Sequence, residues 1–281
     1  MSDFDLEQRI KTNVEETVSS LRLQWNSPTY DGKYLLLVEH DCDKRCYYRH
    51  FNPAYVEIKT TMGCNNMRRL FLAIQPLKIP NFAIQDSDFA RVCGCVPTEP
   101  NYFITDCHDH EMMCLSNNDV LRDLFSIFAI DYDATLVDEI FDDLTILTNF
   151  KWYNYYYHLN VNFRGLKLRG RKRTELRSFD FIYREVLSHS PGCTKAVSAE
   201  DIYNFVSNQA PQNQFELTNG HDFLDLMSQG FEERYKEKNI CREKLQPIIY
   251  ACFTSERFKK TQLYYDIRSW AGENADNLLV A

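Results

Sequence analysis

The chain has 281 residues, of which 44% are hydrophobic and 26% charged, with only 9 Gly and 9 Pro. That balance excludes a disordered or fibrous chain, and no apolar run reaches the ~18–20 residues that a membrane span needs. A formal net charge of −8, from 32 basic and 40 acidic residues, excludes indiscriminate adhesion to nucleic acid.

Residues 4–23 place Leu6, Ile10, Val14, Val18 and Leu21 at steps of three and four, one face of a helix. Ser27-Pro28 and Asp31-Gly32 break the chain into a turn. The run Tyr34-Leu35-Leu36-Leu37-Val38-Glu39-His40 is continuously apolar and then abruptly charged. Such a run suits a strand buried on both faces of a parallel sheet. Residues 43–51 are helix-compatible and stop before Asn52-Pro53. Residues 54–59 alternate like a strand, Gly63 follows, and 65–74 read as a helix. Residues 81–85 form a third strand running into Asp86-Ser87-Asp88. Residues 102–105 form a fourth, running into Asp106-Cys107-His108-Asp109-His110-Glu111. Strands alternating with helices predict an α/β layer with a largely parallel sheet.

Beyond residue 112 the pattern is helical, over 121–128, 135–150, 179–187, 199–207, 222–238 and 241–258, with 159–163 as an added edge strand. The predicted organisation is an N-terminal helix over 1–28, an α/β core over 29–130 and a mainly helical region over 131–281. The acidic, polar start MSDFDLEQRI is unlike a secretory signal, so a cytoplasmic protein without membrane partners is expected. Its 10 cysteines are then expected as thiols. Cys93-Gly94-Cys95 with Cys107, His108 and His110 is a weak zinc pattern, because its C-x-C spacing is tighter than usual.

The strand ends carry the chemistry. In parallel α/β sheets functional groups gather at the carboxyl ends of strands, and here those ends hold Glu39, Asp86 with Asp88, and Asp106 onward. Residues two apart on an extended segment point the same way, so Asp86 and Asp88 are expected to face one site. Clustered carboxylates repel and raise one another's pKa; a hard divalent cation relieves this, and oxygen donors favour Mg²⁺ or Mn²⁺ over Zn²⁺. The plainer alternative is that acids such as Asp41 and Asp43 cap helices. A second strand-plus-acid pattern, 126–130 followed by Asp131-Tyr132-Asp133, lies about twice as far along the chain from Glu39. It reads instead as a cap by Asp131 for the helix from Ala134.

Together these segments resemble the Toprim family of topoisomerases, primases and overcoming-lysogenization-defect nucleases. The likeness is closer to the Toprim-like effectors encoded beside an ATPase in bacterial phage-defence operons of the PARIS type. Val38–Tyr48, VEHDCDKRCYY, resembles that branch's V-E-G-x-x-D-x-x-F-Y, and IQDSDF resembles its I-x-D-x-D-F. FITDCHDHEMMCL resembles its x-T-D-x-H-D-x-E segment. Asn219–Met227, NGHDFLDLM, is similar to a late motif of the same branch. The departures are His40 where the family has Gly, and Cys46 where it has an aromatic residue.

The resemblance implies a Toprim-like fold and metal-dependent phosphodiester cleavage, with RNA, and tRNA in particular, as the leading substrate. Glu39, Asp86 and Asp88 would be both the catalytic and the Mg²⁺-binding residues, with Glu39 as general base or ligand to a second ion. Asp43, Asp106, His108 and Glu111 are supporting or proton-donating candidates, His110 a further donor, and His40, His221 and Asp222 possible contacts. A capping role for Gly220-His221-Asp222 stands beside that reading. The family role implies a toxic antiviral effector with an AAA- or ABC-type ATPase partner.

Arg164–Arg173, RGLKLRGRKR, puts six cations in ten residues: Arg164, Lys167, Arg169, Arg171, Lys172 and Arg173. It is either a solvated charged hairpin or a grip on the phosphate backbone. The aromatic run 152–157 is a core or interface face, or a stacking platform for bases, and it makes a homodimer a candidate assembly. The chain has no GxxxxGK[ST], GxGxxG or GxSxG, so any ATP use must come from a partner. Two other expectations stay open: a catalytically degenerate subunit that docks on and regulates an ATPase, which His40 favours, and a nucleotidyl transferase.

Overall fold

The computed structural model describes residues 3–193, 195–237 and 239–280, with side chains from residue 14 onward. The first elements are α1 (Asp3–Trp25), β1 (Tyr34–Val38), α2 (Asp41–Tyr47), β2 (Val56–Thr60), α3 (Cys64–Ile74), β3 (Asn81–Gln85) and β4 (Tyr102–Ile104). Helices follow: α4 (His110–Leu115), α5 (Asn118–Ile127), α6 (Ala134–Tyr157), α7 (Arg173–Leu176), α8 (Phe179–Leu187), α9 (Ala199–Ser207) and α10 (Gln214–Leu217). The last are α11 (Gly220–Tyr235), α12 (Arg242–Cys252), α13 (Ser255–Phe258), α14 (Gln262–Ala271) and α15 (Ala275–Leu278). The chain divides into two units. One comprises Met1–Asp86, Pro97–Thr105 and Thr254–Ala281; the other comprises Ser87–Val96 and Asp106–Phe253.

The first unit holds the sheet, four parallel strands in the order β2-β1-β3-β4. Its α/β class and parallel sheet are those expected. The apolar run explains the central place of β1: Leu35, Leu36, Leu37 and Val38 are all fully buried, as a strand covered on both faces requires. Side chains alternate between faces. Leu35, Leu37 and Ala83 pack with Leu21, Met67, Leu70 and Phe71 of α1 and α3, and Val14 and Val18 complete that layer. The side chains of Leu6 and Ile10, also placed on that helix face, lie outside the described ones. Elsewhere in the unit, Phe82 meets Phe51 (ring centroids 5.5 Å apart) and Trp270 of α14 (5.2 Å), and Phe103 meets Trp270 at 5.8 Å. The end of the chain is tied to the segment after α2: Asn52 N–H donates to Leu278 C=O (2.9 Å), and Val280 N–H to His50 C=O (3.0 Å).

The second unit is helical among its described residues. Its long helix α6 buries Leu144, Leu147, Phe150 and Trp152. Rings of neighbouring helices meet in edge and tilted contacts, Phe125 with Phe231 at 4.9 Å and Phe141 with Phe223 at 5.0 Å. No described helix is long and apolar enough to cross a membrane.

Four local readings are corrected. Residues 159–163 are not a strand; Asn160 takes the left-handed φ of 59°, and the segment pairs with no described strand. The stretch 241–258 is two helices, α12 and α13, broken at Phe253 (ψ 80°). Residues 126–130 end helix α5 and turn at Ala129 (φ 55°). The cap of α6 is Asp133 rather than Asp131: its carboxylate accepts the Leu136 N–H at 3.0 Å.

Candidate active site

Glu39 is the first residue beyond β1 and is only 7% exposed. Its backbone is clamped from two sides. The Asp43 carboxylate, itself buried, accepts the N–H groups of Glu39 and His40 through Oδ2, both at 2.9 Å. The Glu39 carbonyl accepts from Met62 N–H (2.8 Å) and Gly63 N–H (3.2 Å), while Thr61 donates through N–H and Oγ to the Val38 carbonyl, each at 3.0 Å. Gly63 has φ 114°, a value that only glycine adopts cheaply, so the glycine opening α3 is demanded by the turn that holds Glu39. Asp43 therefore works as an anchor of the β1–α2 turn. His40 has φ −135° and ψ 170°, ordinary extended backbone, so this turn needs no glycine there.

Asp86 is the first residue beyond β3, the strand paired with β1 on the side away from β2. The pairing Leu37↔Ala83 carries both strands in one direction, so Glu39 and Asp86 leave the same edge of the sheet. Burial raises the Tyr102 phenol pKa, and the negative charge of Glu39 raises it further. Negative charge at this edge is therefore felt by its neighbours. The expectation that Asp86 and Asp88 point the same way rested on extended backbone, and it is corrected. Strand β3 stops at Gln85, and Asp88 has φ 45° in a turn. Asp88 belongs to the second unit, where its N–H donates to the His108 carbonyl at 2.7 Å and its Oδ1 lies 3.8 Å from His108 Nε2.

Within the second unit, the segment 106–111 meets the segment 219–222. Asp109 caps α4, accepting the Met112 N–H at 2.9 Å through Oδ1 and the Gly220 N–H at 2.6 Å through Oδ2. A Cβ on Gly220 would stand 2.5 Å from Asp109 Oδ1 and 2.6 Å from Glu111 Cβ, so this contact requires glycine. Glu111 is buried, and its Oε1 gathers Gln246 Nε2 (2.7 Å), Tyr250 OH (2.9 Å), His110 Nε2 (3.2 Å) and His221 Nε2 (3.5 Å). Burial pushes the Glu111 carboxyl pKa up, but the charges and hydrogen bonds of His110 and His221 overcome it and hold it well below the usual range. Gln246 and Tyr250 lie far along the chain in helix α12, and no sequence pattern marks them.

His108 is buried, and its pKa falls to about 3, first through burial and then through the charge of Lys151. It is neutral at physiological pH, which suits a hydrogen-bonding role better than a charged proton donor. Asp106 faces Arg91 at 3.8 Å. Asp222 pairs with Lys151, and the cap of α11 is Asn219, whose side chain accepts the Asp222 N–H at 3.3 Å, rather than Asp222. The zinc pattern is not assembled. Among the described residues Cys93, Cys95 and Cys107 join no group of three metal-capable side chains, and burial pushes the Cys107 thiol pKa up to about 12, away from the thiolate that zinc needs.

The basic strip is partly neutralised inside its own unit. Arg169 pairs with Glu232 (2.7 Å), Arg171 with Glu185 (2.7 Å), and Arg173 with Glu139 at 2.5 Å and Asp143 at 3.5 Å. Arg164, Lys167 and Lys172 are exposed, and none of them forms an ion pair among the described residues.

Comparison with protein-family models, with curated proteins and with solved structures finds no match for this chain in any of the three. The site's own chemistry bears on a metal. Glu39 and Asp86 offer oxygen donors at neighbouring strand ends, and a cation relieves the repulsion of clustered carboxylates. That donor set fits Mg²⁺ or Mn²⁺.

Proposed function

We propose that this chain is a Toprim-like, divalent-metal-dependent nuclease that cleaves nucleic-acid phosphodiesters. RNA, and tRNA in particular, is the favoured substrate. The observation that carries the reading is the departure of Glu39 and Asp86 from the same edge of adjacent parallel strands, where ligands of open α/β sheets bind. The clamp on the Glu39 backbone supports it, because a catalytic carboxylate needs a fixed mount. In this reading Glu39 and Asp86 hold Mg²⁺ or Mn²⁺, which when bound would polarise a phosphoryl oxygen and stabilise the leaving oxygen. Glu39 would take the proton from an attacking water or 2′-hydroxyl. Asp43 positions Glu39, while His108, Glu111 and His221 organise the region after β4. Arg164, Lys167 and Lys172 are the members of the basic strip best placed to meet phosphate. Family resemblance further supports a role as the toxic effector of a cytoplasmic antiviral system whose ATPase comes from a partner. The degenerate-subunit reading leans on His40; the extended backbone of His40 means only that this turn needs no glycine for its own conformation.

The test is to incubate purified protein with total tRNA, single-stranded DNA and plasmid, in Mg²⁺, Mn²⁺ or EDTA, with and without the ATPase partner. The reading expects cleavage that EDTA stops, with RNA cut faster than DNA. No cleavage of any substrate by folded protein, with the partner present, would overturn it.

A further inference from the structure

Helix α2 begins two residues after Glu39, and the Asp43 clamp holds it there. Residues 41, 44, 45 and 48 fall on one face of such a helix. In the first unit Asp41, Lys44, Arg45 and Tyr48 line an open cavity of about 440 Å³. Lys44 is half-buried and Arg45 exposed, and neither forms an ion pair among the described residues. The Tyr48 ring is 60% exposed. This contrasts with the basic strip, where Arg169, Arg171 and Arg173 already have carboxylate partners.

Two adjacent cations share this face with one carboxylate, Asp41, with which neither forms an ion pair, and the exposed tyrosine ring gains nothing from burial. All three find complementary groups in a single-stranded nucleic acid. Guanidinium and ammonium groups match phosphate oxygens. A tyrosine face stacks on any base. A carboxylate such as Asp41 accepts from exocyclic amino groups of the kind that cytosine carries. The same carboxylate disfavours a simple inorganic anion, so the face suits a nucleotide chain better than free phosphate.

We propose that the outer face of α2 is a binding surface for single-stranded nucleic acid. Lys44 and Arg45 hold the backbone phosphates, Tyr48 stacks on a base and Asp41 reads an amino edge. This inference rests on the proposed function for what happens at Glu39, but binding at α2 is measured without cleavage.

The experiment is fluorescence anisotropy with labelled, unstructured RNA of about 15 nucleotides, the matching single-stranded DNA and a duplex of the same length. It is run in EDTA on Glu39→Gln protein so that nothing is cut. Lys44→Glu with Arg45→Glu should weaken binding at least about tenfold and flatten the salt dependence by about 1.4 in log–log slope, two single-strand phosphate contacts. Tyr48→Ala should weaken binding about tenfold with the salt slope unchanged. Charge-matched Lys259→Glu with Arg268→Glu, in the same unit, should bind within about twofold of the parent. Thermal unfolding checks that each variant folds.

Absence of binding by the parent, or equal binding by the α2 variants, overturns the proposal, as does an equal loss in the control pair. A preference for duplex over single strand also overturns it. Protein that binds through α2 but cuts nothing would sink the nuclease and leave the surface. Protein that cuts and binds equally well without Lys44 and Arg45 would do the reverse.

Discussion

The Asp43 carboxylate accepts the backbone N–H of Glu39 at 2.9 Å and that of His40 at the same distance. One buried acid thereby fixes where the other begins. Both bonds have a charged acceptor in a buried setting, worth about 1.5–3 kcal/mol each. Asp43→Ala is expected to cost about 2–4 kcal/mol of unfolding free energy and to lower any cleavage rate. Chemical denaturation at fixed pH measures the first quantity. A change below about 0.5 kcal/mol would show that the clamp contributes little.

Gly220 sits where a Cβ would meet Asp109 Oδ1 at 2.5 Å and Glu111 Cβ at 2.6 Å. Its backbone is helical, so alanine would ordinarily stabilise this position. Overpacking should win: Gly220→Ala is expected to destabilise by about 1–3 kcal/mol, read as a fall in Tm. A raised Tm would mean that α4 and α11 separate easily.

The sheet and most elements were legible because their signals are local: β1 announces itself by four buried aliphatics in a row, and α9 by the helical pattern of 199–207. Acids at two strand ends were legible for the same reason. Other features were not. The turn that gives Asp88 a φ of 45° is set by the bond from its N–H to His108, which no spacing reveals. Residues 159–163 alternate like a strand but pair with no strand among the described residues. Tyr250 and Gln246 reach Glu111 only because α12 packs beside α4. The similarity of 106–111 and 219–227 to two separate motifs gave no hint that Asp109 and Gly220 touch.

Tyr250 donates to the buried Glu111 at 2.9 Å and meets His110 Nε2 at 2.8 Å. Tyr250→Phe keeps the ring and removes only the hydroxyl. Leaving a buried carboxylate short of one donor should cost about 1–3 kcal/mol, measured by urea denaturation. An unchanged midpoint would place water or another donor in the gap.

His50 is buried and stacked on Phe258 at 4.5 Å. Burial first, then the charge of Arg49, lowers its pKa from 6.5 to about 3. Between these values the unfolded chain binds a proton that the folded chain refuses. The stabilisation is therefore complete above about pH 6.5 and drains away as pH falls toward 3, at up to about 1.4 kcal/mol per pH unit. His50→Phe should flatten the pH dependence of stability in that window. A parallel curve for the variant would contradict the assignment.

The central claim is that Glu39 and Asp86 act together on a phosphodiester with a divalent ion. Its most direct test is the single-turnover cleavage rate of tRNA in saturating Mg²⁺ for the unaltered chain, Glu39→Gln and Asp86→Asn, each with its ATPase partner and each shown to be folded. The account predicts that both substitutions lower the rate by at least about a thousandfold while tRNA binding in EDTA persists. Cleavage by either variant at close to the parent rate would contradict it.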